Sequence, residues 1–237
     1  MAVKRNLSAG RMLAVFEAIA REQPIGVSEL ARGLAADKSA IQRDLVTLAD
    51  AKWIVQVPNS GGQWELTPRV LSLARPPQSS DRLRVRARPI LERLRGETGE
   101  TAYLAVPDDN HFIVVDAVES PHMLRMVPPV GIVIPLARSA TGRAMLASLP
   151  AGSRETALGE PISLALAKEL EETAVRGYAI NDGDIVAGAL SMAAVIQSGE
   201  GETIGSLVLT APGERLSGER RSVAGELLRQ AAAELSG

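Results

Sequence analysis

Few residues in this chain of 237 are suited to covalent or metal chemistry: it contains two histidines and no cysteine. Without cysteine, disulfides, thiolate metal ligands and a cysteine nucleophile are excluded. His111 and His122 lie in or beside a predicted hairpin without a partner at metal-ligand spacing, and the sequence has neither a Gly-x-Ser-x-Gly elbow nor a P-loop. The acidic pair Asp182 and Asp184 is typical of a solvated loop. We therefore expect no catalytic residue, no metal site and no cofactor, and the chain is predicted not to be an enzyme.

A set of polar side chains has the chemistry to read DNA. They share the outward, N-terminal face of one predicted helix: Lys38, Ser39, Gln42 and Arg43. Ile41, Leu45 and Leu48 recur at helical spacing and are expected to face inward. Long donors and a hydroxyl at the end of a helix suit base edges in a major groove, so we predict that this helix binds DNA.

The elements around this helix are predicted to form a winged helix-turn-helix. Apolar residues, Leu13 among them, recur at helical spacing over residues 8–22. Ser28 is placed to cap a short second helix and Asp37 to cap the third. A two-stranded hairpin with a Gly-rich tip follows over residues 53–66. A generic three-helix cluster is the alternative explanation of the same periodicity.

The charge distribution agrees with phosphate contact through the first part of the chain. Residues 1–75 carry ten basic and seven acidic side chains, a net charge of +3, whereas the remainder carries −5. An excess of three charges also arises by chance, so it decides little. The full set of predicted DNA-binding residues, of which the last two lie in the hairpin, is Ser28, Lys38, Ser39, Ala40, Gln42, Arg43, Ser60 and Gln63.

The rest of the chain is predicted to be a sensory domain. Residues 76–80 break the pattern, and Ser80 or Asp81 is placed to cap a helix over residues 82–97. The strands that follow, one of them near residues 123–127, indicate a mixed sheet with helices on one face, typical of a GAF/PAS-like domain. The expected fold class is α+β, with a winged helix-turn-helix in residues 1–75, a linker helix in 76–98 and an effector-binding and oligomerisation domain in 99–237.

One helix start in this second part is suited to binding an anion. Ser139 is placed to cap a helix that begins with Ala140, Thr141 and Gly142. Free N–H groups and the helix dipole at such a start favour a carboxylate. An ordinary capped helix explains the same residues, and the residues alone favour that simpler explanation.

Seven stretches of the chain resemble IclR-type bacterial transcription regulators: residues 26–48, 64–74, 96–106, 116–121, 136–147, 176–179 and 193–194. The first two resemble the DNA-binding head of that family and the others its C-terminal domain, so the resemblance covers nearly the whole chain. Asp44 stands where an apolar residue is usual, and Arg143 where lysine is usual. Residues 150–164 form a shorter segment than the family has there, which places the outer wall of its ligand pocket in question.

The resemblance implies an effector bound against the helix start and against positions in later strands. Ser191 stands where cysteine is common in the family, and Val208 with Met192 is expected to cover an apolar part of the ligand. An aromatic or branched acid is therefore as acceptable as a two-carbon one. The implied effector-binding residues are Ala140, Thr141, Asn181, Ser191, Val208 and Thr210.

The sequence therefore predicts a sequence-specific DNA-binding transcriptional regulator whose operator binding is controlled by a small-molecule effector, expected to be a small organic acid. A homodimer or homotetramer on a pseudo-palindromic operator in double-stranded DNA is expected. No signal peptide is recognised in residues 1–6, and no apolar run approaches the roughly 18 residues of a membrane span, so a cytoplasmic location without membrane contact is expected. The alternative is a ligand-binding protein whose helix-turn-helix mediates protein contacts.

Overall fold

The computed structural model describes residues 6–73 and 78–237, in two compact units, Met1–Arg75 and Pro76–Gly237. Among the described residues, no helix is both long and apolar enough to cross a membrane. Two predictions fall on residues outside the described part. They are the break at Pro76 and Pro77 and the lack of a signal peptide, as far as it rests on residues 1–5. The helix expected after the break begins earlier than predicted, at Gln78.

The first unit is a three-helix cluster with a small sheet. Its elements in chain order are α1 (Leu7–Glu22), β1 (Ile25–Gly26), α2 (Val27–Gly33), α3 (Lys38–Asp50), β2 (Ile54–Gln56), β3 (Gln63–Leu66) and a 3-10 turn (Pro68–Ser72). The core is formed by apolar side chains from all three helices and from the sheet, including Val15, Leu30, Ile41 and Trp64. This arrangement is a winged helix-turn-helix.

Three details of the first unit differ from the sequence prediction. The wing has three strands in the order β1-β3-β2, because Ile25 pairs with Trp64 in a strand too short to show alternation. Ser28 lies inside the first turn of α2 and does not cap it; the N–H of Gly26 instead donates to Oε2 of Glu29 at 3.1 Å. Leu13 is 62% exposed, since Val15 and Ile19 carry the buried face of α1.

The second unit is built on a six-stranded sheet in the order β6-β5-β4-β9-β8-β7. Every pairing in it is antiparallel, so the predicted mixed sheet is wrong. Its strands are β4 (Thr101–Asp108), β5 (His111–Val118), β6 (Val133–Pro135), β7 (Ala179–Asp182), β8 (Ala189–Gln197) and β9 (Thr203–Pro212). Its helices are α4 (Gln78–Thr98), α5 (Ala140–Ser148), α6 (Ala151–Leu158), α7 (Leu164–Arg176) and α8 (Gly218–Leu235).

Helices cover both faces of this sheet, not one face as predicted. Alternation along β4 sends Leu104 into a core with α4 and α8, and sends Tyr103 and Ala105 into a second core with α5 and α7. The same alternation along β8 places Met192 in the first core and Ala193 in the second. The pattern is that of a sheet buried on both sides.

Other local predictions for the second unit fail where irregular backbone or short elements decide the structure. Residues 123–127 form no strand and run irregularly along the surface. The short strand β7 and the helix α6 were not predicted. The β4–β5 turn contains only Asp109 and Asn110, and Pro107 lies within β4.

Candidate functional site

The outward face of α3 carries exposed polar side chains on a rigid support. Lys38, Ser39, Gln42 and Arg43 are all exposed, while Ile41, Leu45 and Leu48 on the opposite face are buried. A groove of about 540 Å³ runs between α2, α3 and the wing, and its lining includes Ser28, Arg32, Gln42 and Gln56. The wing therefore stands beside the exposed face of α3, where a nucleic-acid backbone can be contacted together with base edges.

An ion pair fixes α3 against α1. Nε of Arg11 lies 2.7 Å from Oδ2 of Asp44, and Nη2 of Arg11 lies 3.2 Å from Oδ1, so the contact is bidentate. Asp44 is only 7% exposed and directly follows the exposed Arg43. A planar guanidinium that binds both carboxylate oxygens restricts rotation of the helix, so this pair orients the polar face of α3.

The second unit contains a cavity of about 290 Å³ beside the N-terminus of α5. Its floor includes Tyr103 of β4, Ser191 of β8 and Thr210 of β9. Apolar side chains from two irregular segments form much of its wall: Met126, Val127, Pro128, Pro129, Ile132, Ile185 and Val186. Among the described residues, no charged side chain lines this cavity.

The start of α5 offers backbone donors to this cavity. Oγ of Ser139 accepts a hydrogen bond from the N–H of Gly142 at 2.9 Å, which caps the helix. The N–H groups of Ala140 and Thr141 precede the first intrahelical bond, and both residues line the cavity. These donors, together with the helix dipole, favour an acceptor or an anionic group of a ligand.

Two hydroxyl groups, those of Ser191 and Thr210, determine which hydrogen-bonding groups the floor offers to a ligand. Oγ1 of Thr210 donates to the carbonyl oxygen of Leu190 at 3.3 Å and lies 3.1 Å from Oγ of Ser191. Because the Thr210 proton is used on Leu190, Ser191 is the donor in the hydroxyl pair. The remaining lone pairs of Ser191 make it an acceptor toward the cavity.

Tyr103 is a cavity residue that sequence reasoning missed. Its phenol lines the cavity and is almost fully buried, and burial raises the pKa of Tyr103, so the hydroxyl remains protonated. The sequence feature that could have identified Tyr103 is the alternation along β4. It places Tyr103 on the same face as Ala105, and Tyr103 pairs with Val208 of β9. Without the strand order, that partner is not visible in the sequence.

Asn181 is held in place by its neighbours at the edge of the cavity. Its amide group donates to the carbonyl oxygen of Arg138 and lies 3.3 Å from Oδ2 of Asp184. Arg143 of α5 binds the same Asp184 carboxylate and also lies 3.0 Å from Oε1 of Glu169. These bonds use the amide N–H₂ group, so the carbonyl oxygen of Asn181 is its free polar atom.

Comparison with known protein families assigns both units. Residues 8–58 match the IclR helix-turn-helix domain, and residues 78–237 match the bacterial transcriptional regulator IclR C-terminal domain. The chain belongs to the IclR family. The Escherichia coli transcriptional repressor IclR is 27% identical over 245 residues, covering 97% of this chain and 88% of the repressor.

Solved structures of IclR regulators share the fold. The IclR family transcriptional regulator from Brucella abortus has a TM-score of 0.81 at 22% identity, covering 98% of this chain and 92% of that one. An IclR homolog from Microbacterium hydrocarbonoxydans, solved in complex with 4-hydroxybenzoate, has a TM-score of 0.73 at 24% identity. That match covers 96% of this chain and 97% of the homolog.

As a member of the IclR family, the chain is a DNA-binding transcriptional regulator whose operator binding is controlled by a small-molecule effector. This supports the predicted main function and not the alternative in which the helix-turn-helix mediates protein contacts. The family and its named relatives are transcriptional regulators and not enzymes.

The structure does not place every predicted residue of this IclR-family chain on a binding surface. Ala40 is 8% exposed and faces the core of the first unit. Oγ of Ser60 donates to the carbonyl oxygen of Val57 and accepts from the N–H of Gln63, so it shapes the wing turn. Val208 lies on the same face of β9 as Thr210 but is fully buried in the core that includes α5, so it does not line the cavity, and Met192 faces the other core.

The remaining predicted effector residues come together. Ala140, Thr141, Asn181, Ser191 and Thr210 all line the one cavity beside α5, although they lie in four different elements. That they bind the effector stays a prediction.

Proposed function

We propose that the exposed face of α3 reads operator DNA through the major groove. The side chains that carry this role are Lys38, Ser39, Gln42 and Arg43, all exposed on one face. Ser28 and Gln42 lie in the same groove beside the wing, whereas the predicted contact residue Gln63 lines a separate pocket with Pro24 and Gly33. Their exposure, combined with the fixed orientation that Arg11 and Asp44 give to the helix, supports this assignment.

The protein acts as a homodimer or homotetramer on a pseudo-palindromic operator. One recognition helix reaches only a few base pairs, so two heads related by a twofold axis are needed for a specific site. Since its target is bacterial DNA, we place the protein in the cytoplasm. Light scattering of the purified protein tests the oligomeric state.

The effector is a small organic acid with a single carboxylate on an apolar body. The carboxylate lies against the N–H groups of Ala140 and Thr141, which are the cavity's strongest site for an anion. No charged side chain compensates a second negative charge among the described lining residues, so a dicarboxylate is disfavoured. The observation that carries this proposal is the combination of backbone donors at α5 with a neutral, largely apolar wall.

A hydroxyl on the far side of the ligand fits the floor. Oγ of Ser191 presents an acceptor, and the phenol of Tyr103 lies on the same floor. A hydroxyl group donates to the first of these and accepts from the second. The aryl hydroxy acid 4-hydroxybenzoate, bound by the Microbacterium homolog, has this distribution of polar groups. A cavity of about 290 Å³ suits a ligand of one ring.

The DNA assignment is tested by selecting duplexes from a random pool and titrating the best one by fluorescence anisotropy. Arg43→Ala is expected to weaken specific binding by about 1–3 kcal/mol if Arg43 contacts a guanine. Arg21→Ala is the matched control, because Arg21 carries the same charge in an exposed pair with Glu17 on α1. Equal affinity of the Arg43 variant and the wild type contradicts the assignment.

The effector assignment is tested by calorimetry with four acids: benzoate, 4-hydroxybenzoate, phthalate and glyoxylate. The expected order places 4-hydroxybenzoate first, benzoate second and the dicarboxylate phthalate last among the aryl acids. Tight binding of phthalate, or of glyoxylate alone, contradicts the proposed chemistry of the cavity.

A further inference from the structure

One wall of the cavity is a long irregular segment that is anchored at its two ends. Ser120 bonds to Gly99 and Thr101, and Gly131 and Ile132 bond to Val114. Residues 119–132 connect β5 to β6, and Met126, Val127, Pro128 and Pro129 in its middle line the cavity. Among the described residues, Arg125 bonds only within the segment, to Glu119 and to the carbonyl oxygens of residues 122 and 123. Within the described part of the chain, residues 123–130 make one hydrogen bond to another element, at the carbonyl oxygen of Leu124.

The donor of that bond is Arg215, which lies in the turn between β9 and α8. Its Nη1 is 2.8 Å from the Leu124 carbonyl oxygen. The same guanidinium binds Glu100, with Nε at 2.7 Å from Oε1 and Nη2 at 2.7 Å from Oε2. Glu100 directly precedes β4 and has no exposed surface. A guanidinium offers its donors in a fixed plane, so the Glu100 contact sets the direction of the remaining donor.

We propose that Arg215 is a positioning residue for effector binding, because it holds residues 123–130, the part of the segment between its two anchored ends, against the base of β4 and thereby shapes the cavity wall. The inference rests on the proposed function in that the cavity is the effector site. β4 and β9, the strands on either side of the clamp, carry Tyr103 and Thr210 of the cavity floor. Arg215 therefore fixes the apolar wall relative to the polar floor without touching the ligand.

The substitution Arg215→Lys separates the two roles of this side chain. Lysine keeps a positive charge beside the buried Glu100, so the unit is expected to fold. A compact ammonium cannot hold the two Glu100 oxygens and the Leu124 carbonyl in one plane, so the segment is released. Arg125→Gln is the matched control, since it removes an arginine from the segment itself while leaving the clamp intact.

Methyl NMR of the methionines reports on the wall in the absence of any ligand. Met126 lines the cavity, Met123 is 98% exposed on the same segment, and Met192 is buried on the opposite face of the sheet. In Arg215→Lys the order parameter of the Met126 methyl is expected to fall toward that of Met123, while that of Met192 stays at the wild-type value. In Arg125→Gln all three are expected to stay unchanged.

A thiol introduced by Thr141→Cys measures access to the cavity. The chain has no other cysteine, and Thr141 lines the cavity while being only 1% exposed, so labelling reports movement of the wall. Loss of a hydrogen bond from a charged donor is expected to raise the labelling rate by about tenfold in the Arg215→Lys background. An unchanged rate together with an unchanged Met126 signal overturns the proposal, whichever ligand the cavity takes.

If Arg215→Lys loosens the whole unit, the order parameter of the Met192 methyl also falls. The proposal is then tested with the double variant Glu100→Gln, Arg215→Gln. This variant removes the buried charge together with its partner, and glutamine is too short to reach Leu124. A selective change at Met126 in this variant supports the proposal. Wild-type behaviour at Met126 overturns it, and neither result depends on whether an organic acid binds.

Discussion

The two units of this regulator differ in the groups that we propose for binding. The first unit presents exposed side chains of α3, and the second presents backbone N–H groups of α5 inside a cavity with no charged residue in its described lining. Each depends on a bidentate arginine–carboxylate pair, Arg11 with Asp44 and Arg215 with Glu100. Side-chain truncation therefore tests the first surface, whereas the second must be tested through its backbone.

The largest effect on stability is expected from one methyl group added at the start of α5, where backbone N–H groups line the cavity. A Cβ at Gly142 would lie 1.8 Å from the carbonyl oxygen of Leu136, so Gly142→Ala forces α5 away from its neighbour. We expect the second unit to lose about 3 kcal/mol of unfolding free energy or more, measured by denaturant unfolding.

Gly152→Ala is the control for that substitution. Gly152 lies in α6, and a Cβ added there would meet no atom within 4 Å, so the change is expected to stay within about 1 kcal/mol and to favour the helix. Wild-type stability of Gly142→Ala would show that the start of α5 can move away from Leu136, so that its backbone donors are not held in a fixed position.

The second-largest effect is expected in the first unit, from loss of the ion pair between Arg11 and Asp44. Arg11→Met leaves the buried Asp44 carboxylate without its counter-charge, so we expect a lower melting temperature and weaker operator binding. Adding Asp44→Leu is expected to restore both, since an apolar pair replaces the ionic one. The exposed control Arg21→Met is expected to melt like the wild type, and a similar loss in both single variants would contradict a special role for Arg11.

A smaller effect is expected when one backbone donor is removed from the cavity. Thr141→Pro deletes an N–H in the first turn of α5, where proline is tolerated, so effector affinity should fall by about tenfold without unfolding. Thr141→Val keeps the N–H and removes only the hydroxyl, and calorimetry should show nearly wild-type affinity for it. Equal losses in the two variants would assign the contact to the side chain.

The smallest effect concerns the phenol on the cavity floor. Because burial raises the pKa of Tyr103, its hydroxyl is neutral at pH 10. Tyr103→Phe is therefore expected to leave the tyrosine absorbance change of the folded protein around pH 10 unaltered. A smaller change in the variant would mean that Tyr103 ionises there and that the floor is more solvated than its burial indicates.

Sequence periodicity predicted the elements whose burial is set locally. The inward face of α3 at Ile41, Leu45 and Leu48 follows from the 3.6-residue period, and the structure confirms it. The cap at Ser139 follows from the chemistry of helix termini.

Features that depend on distant contacts could not be read from the sequence. Val208 and Thr210 lie on one face of β9, but only the packing of the core that includes α5 decides that Val208 is covered and that Thr210 meets the cavity. Ala40 was predicted among the DNA-binding residues of α3, whereas the structure shows it to be buried. Glu100 and Arg215 are 115 residues apart, so no local pattern joins them.

The central claim is that a small acid in the α5 cavity changes how α3 binds DNA. The direct measurement is the operator affinity of the wild type and of Thr141→Pro, each with and without a saturating acid that calorimetry has shown to bind. We expect the acid to change the wild-type affinity by about fivefold or more, in line with typical allosteric coupling. Because its affinity for the acid is expected to be about tenfold lower, Thr141→Pro should need about tenfold more acid than the wild type to reach the same change. An acid that binds the cavity and leaves operator affinity unchanged would contradict the account.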